Sequence, residues 1–317
     1  MAEPRPAWSW SVHGSADRIP RSSLLESLTW DLALAGSTGA GVRVGIVDSG
    51  IDNDHPAVGG AVRGWAEPVV EGDGSTVTYK TGAHEDLFGH ATACAGIIHR
   101  IAPDVQLFSV RVLGPTLSGK TATFAAGLRW AIENDMHVVN LSLGTTKKDS
   151  FGLFHELVDA AYYRGVVLVT AANNMPVVSF PSLYSAVISV ACYEGSRSDD
   201  PLEFYCNPKP PVEFGAPGID LRVAWTDGGY ITATGNSFAA PHITGIVALL
   251  RSKHPHLTPF EIKTVLRGLA RNAAGRSEAE DHGSEAARDH PSRKGAGGKA
   301  VPPAPREPGA VEAQPSG

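Results

Sequence analysis

Cysteine is scarce in this chain of 317 residues, with Cys94, Cys192 and Cys206 the only three. An odd and sparse set builds no disulfide framework and suits a reducing compartment. No apolar run reaches the ~18 residues that a membrane-spanning helix needs, which argues against a membrane partner. The opening stretch Met1-Ala2-Glu3-Pro4-Arg5-Pro6 leads into no apolar segment of the kind that forms a secretory signal, so a cytoplasmic location is expected. Basic blocks are missing too. The formal net charge is −6, and the mixed signs of Arg288, Asp289, Arg293, Lys294 and Lys299 argue against nucleic acid as a partner. From Asn272 to Gly317 there is no aromatic residue and no Leu, Ile or Met. Such a tail cannot bury enough apolar surface to offset the entropy of ordering, and it is expected to be disordered. Composition therefore divides the chain into an extension over 1–27, a folded domain over 28–271 and a tail over 272–317. Ser22 to Leu28 suggests a short helix behind a capping serine. There is no internal repeat, and nothing in the sequence sets an oligomeric state.

What is present is a rhythm of buried strands and amphipathic helices. Val42-Arg43-Val44-Gly45-Ile46-Val47 is an apolar, β-branched run suited to a strand covered on both faces. Residues Val105 to Val112 repeat that pattern, followed by Phe124, Leu128, Ala131 and Ile132 at helical spacing, a strand over Val138 to Leu141, a helix from about Phe154 to Tyr163 and a strand over Val166 to Ala171. This βαβ order predicts an α/β fold: a doubly wound, mostly parallel sheet with helices on both faces. The 42% hydrophobic content is enough to fill its core.

Three polar residues stand at the ends of such elements. Ser237, in Thr-Gly-Asn-Ser-Phe-Ala-Ala-Pro-His (234–242), lies at the mouth of an apolar helix, where the positive end of the macrodipole favours developing negative charge. Taken alone it reads first as a helix cap. Pro241 is placed in the first turn, where its missing N–H costs nothing. Asp48 ends the first strand, at the edge where open α/β sheets hold their ligands. His90 opens a helix of small residues, Gly89-His90-Ala91-Thr92-Ala93-Cys94-Ala95-Gly96. Cys94 falls four residues beyond His90 on the same face and reads as a small packing residue.

The three segments together resemble those of the subtilisin-like serine peptidases, and Asp, His, Ser is the order in which subtilisin itself carries its triad. Asp48-Ser49-Gly50-Ile51 matches the family's Asp motif. The His and Ser motifs match apart from Ala91 in a Gly place and Asn236 in a Thr place. The resemblance runs from about Leu28 to about Arg271. It implies that Ser237 is the nucleophile, His90 its general base and Asp48 the group that holds the imidazole. Val166 to Asn174 resembles the strand ending in Ala-Ala-Gly-Asn, which makes Asn174 the oxyanion donor and puts Asn173 in the Gly place. Ser142, Leu143 and Gly144 look like the edge on which an extended peptide adds a strand, and Phe180-Pro181-Ser182 is similar to the stretch beside the primary specificity pocket. His55 is expected to be structural, and His84-Glu85-Asp86 to border the cleft, its carboxylates favouring basic substrate side chains.

The implied activity is a serine endopeptidase acting through an acyl-enzyme on a peptide or protein substrate, with a dedicated intracellular processing protease as its expected form. A catalytically inactive peptide-binding module and a peptide ligase or cyclase using the same triad are the alternatives. No cofactor is expected. No metal is expected either, because Gly96 to Pro103 passes directly onward where many relatives insert a calcium-binding loop, and Asp52, Asp54, Glu67, Glu71 and Asp73 lack the spacing of one.

Overall fold

The computed structural model describes residues 28–72, 76–193, 200–209 and 211–273. The extension over 1–27, with most of the short helix expected at 22–28, and nearly all of the tail from 272 lie outside the described residues. In chain order the strands are β1 (Arg43–Asp48), β2 (Val62–Glu71), β3 (Thr76–Lys80), β4 (Gln106–Arg111), β5 (Val138–Leu141), β6 (Val167–Ala171), β7 (Ile188–Cys192), β8 (Tyr205–Cys206), β9 (Phe214–Ala216), β10 (Leu221–Ala224) and β11 (Tyr230–Ala233). The helices are α1 (Trp30–Leu34), α2 (His90–Ile101), α3 (Thr121–Glu133), α4 (Phe151–Tyr163), α5 (Asn236–Lys253) and α6 (Pro259–Leu269). No helix among the described residues is long and apolar enough to cross a membrane.

Nine strands form one sheet in the order β3-β2-β4-β1-β5-β6-β7-β9-β8. Neighbours run parallel from β2 to β9, and only the edge pairs β2/β3 and β8/β9 are antiparallel. The expected doubly wound sheet is therefore what the chain forms. The β2–β3 hairpin and the separate β10–β11 ribbon add to it.

Both faces of the sheet are covered, which is why its central strands are apolar throughout. Val44 and Ile46 of β1 enter one core with Ile98 of α2, Ile243, Ile246 and Val247 of α5, and Leu266 of α6. Val47 enters the opposite core with Leu128 and Ile132 of α3 and Phe154 and Leu157 of α4. The chain reverses its winding direction at β1, which has β4 on one side and β5 on the other. A crevice opens beyond the carboxyl ends of strands at such a point, and Asp48, Ser142 and Ala172 all stand there. Helix α6 starts with a capping box, Thr258 and Glu261 bonding reciprocally behind Pro259.

Helices α2 and α5 touch because Gly245 has no side chain. A β-carbon there would lie 2.8 Å from Ile101 Cβ. Gly152 in α4, by contrast, has nothing within 4 Å of that position. One substitution thus has opposite signs at the two sites. Gly152→Ala is expected to stabilise by up to ~1 kcal/mol through helix propensity, whereas Gly245→Ala overpacks and is expected to cost about 1–3 kcal/mol, both read from thermal or denaturant midpoints. Two shifts of the same sign would contradict this account of the packing.

Candidate active site

Asp48 is wholly buried at the end of β1, and both of its carboxylate oxygens lie 2.9 Å from His90 Nδ1. The Ser49 N–H donates to Oδ1 at 2.7 Å. A second carboxylate, Asp86, locks the two elements together. Its Oδ1 accepts from Ser49 Oγ and from the Phe88 and Gly89 N–H groups, and its Oδ2 accepts from the N–H and hydroxyl of Thr92, all at 2.7–2.9 Å. Ser49 Oγ in turn accepts from Ala91 N–H at 3.1 Å. The loop before α2 lies so close to the strand end that a β-carbon on Gly50, whose φ is +103°, would collide with the Glu85 carbonyl. The expected role of Asp86 at the cleft border needs correction. Its oxygens are used up in holding the start of α2, and neither it nor Glu85 lines the groove that contains His90.

Ser237 is the second residue of α5, and Gly235 stands just before the helix. Pro241 is the sixth residue, so it lies inside the helix and not in its first turn as expected. The N–H that Pro241 lacks is the one that would have bonded the Ser237 carbonyl. That carbonyl is satisfied from outside the helix, by Ser142 Oγ at 2.8 Å, with Cys94 Sγ at 3.6 Å. Ser142 is fixed in turn by Asn140 Nδ2 at 2.9 Å, and Asn140 Oδ1 accepts from Thr244 Oγ1 at 2.9 Å. A buried, paired polar chain therefore runs beneath the serine from β5 to α5. Burial, aided by the charge of Asp48, holds the Cys94 thiol well above its usual pKa, so it is a protonated packing group.

Asn174 follows β6 in the turn that crosses in front of α5. Its Oδ1 accepts from the Asn236 N–H at 2.9 Å, which leaves Nδ2 pointing away. A β-carbon on Gly235 would sit 3.3 Å from Ser237 Oγ and 3.6 Å from Asn174 Nδ2, so hydroxyl and amide face one small space kept open by a glycine. Among the described residues no protein group takes the Ser237 N–H or Asn174 Nδ2. A cleft of about 290 Å³ joins these groups, lined by His90, Ser142, Leu143, Gly144, Asn174 and Ser237. Phe180 is not on this lining. It is buried against Phe151 and Tyr184, and its backbone pairs with Thr145 to brace the wall. Apart from His90, the charged side chains on the lining are Lys120 and Lys147. Among the described residues no carboxylate stands there, the reverse of the polarity expected from His84-Glu85-Asp86.

His55 is buried, with Nδ1 accepting from Ala57 N–H and Nε2 donating to the Gly229 carbonyl, a structural role. Asp48, His90 and Cys94 bring potential metal ligand atoms within 4.8 Å of one another. Those atoms are already engaged within the protein, the Asp48 carboxylate with His90 Nδ1 and the Ser49 N–H, and Cys94 Sγ with Ser142 Oγ and the Ser237 carbonyl. Of the acidic residues considered for calcium, Glu67 pairs with Arg111 at 2.8 Å, Asp52 accepts from the Asp54 N–H, and Asp73 lies outside the described residues.

Two histidines near the site are held neutral. Burial, and the charge of Arg111, lower His84 to about 4; its Nε2 lies 2.8 Å from Ser109 Oγ, the hydroxyl that accepts from Ile51 N–H. Burial lowers His242, inside α5, also to about 4, and its Nδ1 donates to the Phe238 carbonyl at 3.0 Å. A group whose folded pKa is depressed below an unfolded value of about 6.5 takes up its proton first in the unfolded chain. Stability therefore falls as pH drops from about 6.5 to about 4, by at most ~3 kcal/mol for the fully enclosed His242 and by clearly less for the partly exposed His84, where solvent screens the charge. Thermal melts across this window should show the loss, and His242→Gln should flatten the slope. An unchanged slope in that variant would count against a neutral His242.

The subtilase family model matches residues 39–292. The chain is 32% identical over 239 residues to a thermostable alkaline protease of Halalkalibacterium halodurans, covering 72% of this chain and 62% of that protein, and 32% identical to Subtilisin Savinase of Lederbergia lenta, covering 74% and 85%. Against the first of these relatives it thus spans about three fifths of the length. Among solved structures, a cold adapted subtilisin-like serine proteinase is 26% identical with a TM-score of 0.60, over 76% of this chain and 86% of that one. A parallel sheet with an aspartate–histidine pair at its switch point, a serine opening the buried helix behind it and a family match over most of the chain have one meaning: this protein belongs to the subtilase family.

Proposed function

We propose that this chain is a serine endopeptidase in which Asp48, His90 and Ser237 act as a triad. The observation that carries the reading is the buried bond between Asp48 and His90 Nδ1, set in the same cleft as a serine at a helix mouth. His90 takes the Ser237 proton as Oγ attacks the scissile carbonyl, then delivers it to the leaving amine. Asp48 holds the imidazole tautomer and offsets the positive charge that forms on it. The oxyanion of the tetrahedral intermediate is received by the Ser237 N–H and Asn174 Nδ2, both without another protein partner among the described residues. These donors are fixed before reaction, so little reorganisation is needed as charge develops. Ser142, Leu143 and Gly144 run along the cleft as an edge with which an extended peptide can pair. Water then releases the acyl group by the same proton path.

Ser237→Ala is expected to abolish labelling by a fluorophosphonate and to reduce peptide hydrolysis at least ~1,000-fold while leaving the melting temperature near that of the parent. Full labelling in that variant would end the assignment. Asn174→Ala should lower kcat by roughly 100- to 1,000-fold with little change in KM, the magnitude known for subtilisin's own oxyanion asparagine. The mass of the product separates hydrolysis from transfer to an amine.

Lys120 and Lys147 give the cleft a positive rim, so acidic substrate side chains are favoured over basic ones. Exposed pairs of this kind contribute at most ~1 kcal/mol each, so the preference is several-fold and weakens with salt. Matched peptides carrying Glu or Lys on the acyl side of the cut would measure it, with Lys120→Glu and Lys147→Glu expected to invert the order. A library showing no preference at low salt would contradict the charge argument.

A further inference from the structure

The two places where this chain departs from the subtilase pattern around the oxyanion donor, Asn173 and Asn236, are in contact. Asn236 Nδ2 donates to the carbonyls of Ala172 and Asn173, both at 3.2 Å. Its Oδ1 faces the other way, accepting from the Cys192 N–H at 2.8 Å with Cys192 Sγ at 3.1 Å. Its backbone N–H holds Asn174 Oδ1 at 2.9 Å. Beyond Asn174, Asn173 Oδ1 accepts from the Met175 N–H at 2.8 Å and tightens the turn. One side chain thus ties together the end of β7, the turn that follows β6 and the first residue of α5.

We infer that Asn236 is a positioning residue for the oxyanion site, clamping the 172–174 turn to β7 and to α5 so that Asn174 Nδ2 faces the space beside Ser237 Oγ. The inference rests on the serine-peptidase reading above. The geometry requires a planar amide. Donor and acceptor must point in opposite directions at once, toward two carbonyls on one side and an N–H on the other. A threonine has a single oxygen and reaches one side only. Either the two carbonyls or the Cys192 N–H would then lose this partner, the clamp would hold at one end only, and the turn would be free to carry the amide of Asn174 out of line. An oxyanion donor acts only when its hydrogen reaches the position that the charged oxygen will occupy, so a small displacement costs rate and leaves ground-state binding nearly unchanged.

The test uses the full chain with Asn236→Ala, Asn236→Thr and Asn236→Asp, each made alone and together with Asn174→Ala. The readouts are kcat and KM for a peptide substrate, the Ki of a peptide boronate that forms a tetrahedral adduct on serine, and the melting temperature. Each single variant is expected to lower kcat by roughly 10- to 100-fold with KM within about threefold, and to weaken the boronate by a similar factor. Asn236→Asp is informative because it keeps the acceptor for Cys192 and loses both donors. With Asn174 already removed, the Asn236 variants should change kcat less than about threefold while any shift in melting temperature persists. An unchanged kcat in the single variants, or the same fractional loss with and without Asn174, overturns the inference. Should Asn236→Ala fail to fold, Asn236→Thr decides on the same criteria. A parent protein that neither hydrolyses peptides nor binds the boronate overturns the peptidase reading along with it, whereas an active parent with indifferent variants overturns this inference alone.

Discussion

A carboxyl group sealed from water at the end of a central strand must find its hydrogen bonds inside the protein, and the arrangement around Asp48 follows from that demand. Unpaired, it would cost several kcal/mol. The donors it finds are the Ser49 N–H and His90 Nδ1. The first is local and automatic. The second requires α2 to begin at one place and no other, which is what Asp86 enforces by gathering the Phe88, Gly89 and Thr92 N–H groups into a single cap. One carboxylate makes the pair, and the other makes the pair inevitable. Gly50 completes the arrangement by letting the loop at Glu85 lie directly on the strand end.

Backbone accounting explains the other half of the site. An interior proline leaves one carbonyl of α5 without its helical partner, and that carbonyl belongs to Ser237. Ser142 fills the vacancy from the far side of the cleft floor. The serine's own backbone is therefore anchored to β5, the strand that sits beside the Asp48 strand. Asn140 and Thr244 extend the anchor deeper into the core. All members of this chain are paired, the condition under which a buried polar network adds rigidity.

Much of this was legible in the sequence, for identifiable reasons. Strands covered on both faces read as β-branched runs, so β1, β4, β5 and β6 fall within a residue or two of their expected spans. Asp48, His90 and Ser237 stand in short motifs of small residues whose spacing is distinctive. The anchoring roles of Asp86, Asn140 and Thr244 were not legible, because their partners lie in other elements and an isolated Asp, Asn or Thr carries no period. The one available signal was an aspartate three residues before a glycine that precedes a helix, the pattern of a cap acting from a distance. Pro241 was misplaced because α5 begins at Asn236, ahead of the serine taken to mark its mouth. The β2–β3 hairpin escaped notice since Gly64 and Pro68 interrupt the alternation of β2, Gly64 at a register shift against β4 and Pro68 in the half of the strand that pairs with β3. Phe180 lies near the cleft in sequence terms but faces the aromatic cluster behind the wall. Polarity of the cleft was inverted for a similar reason: the acidic segment nearest His90 in the chain spends its charge inward, while the lysines that reach the groove come from the starts of two other elements.

Helix α5 is covered on every side from Phe238 to Arg251. A rod held that way behaves as an axle: its residues answer to α2, β5, β6 and β7 simultaneously, and none can drift without moving the hydroxyl at its tip. Diversity among descendants of this chain is thereby pushed outward, to the exposed bends around 117–121, 145–148 and 175–178, where novelty in what is gripped need not disturb how it is cut.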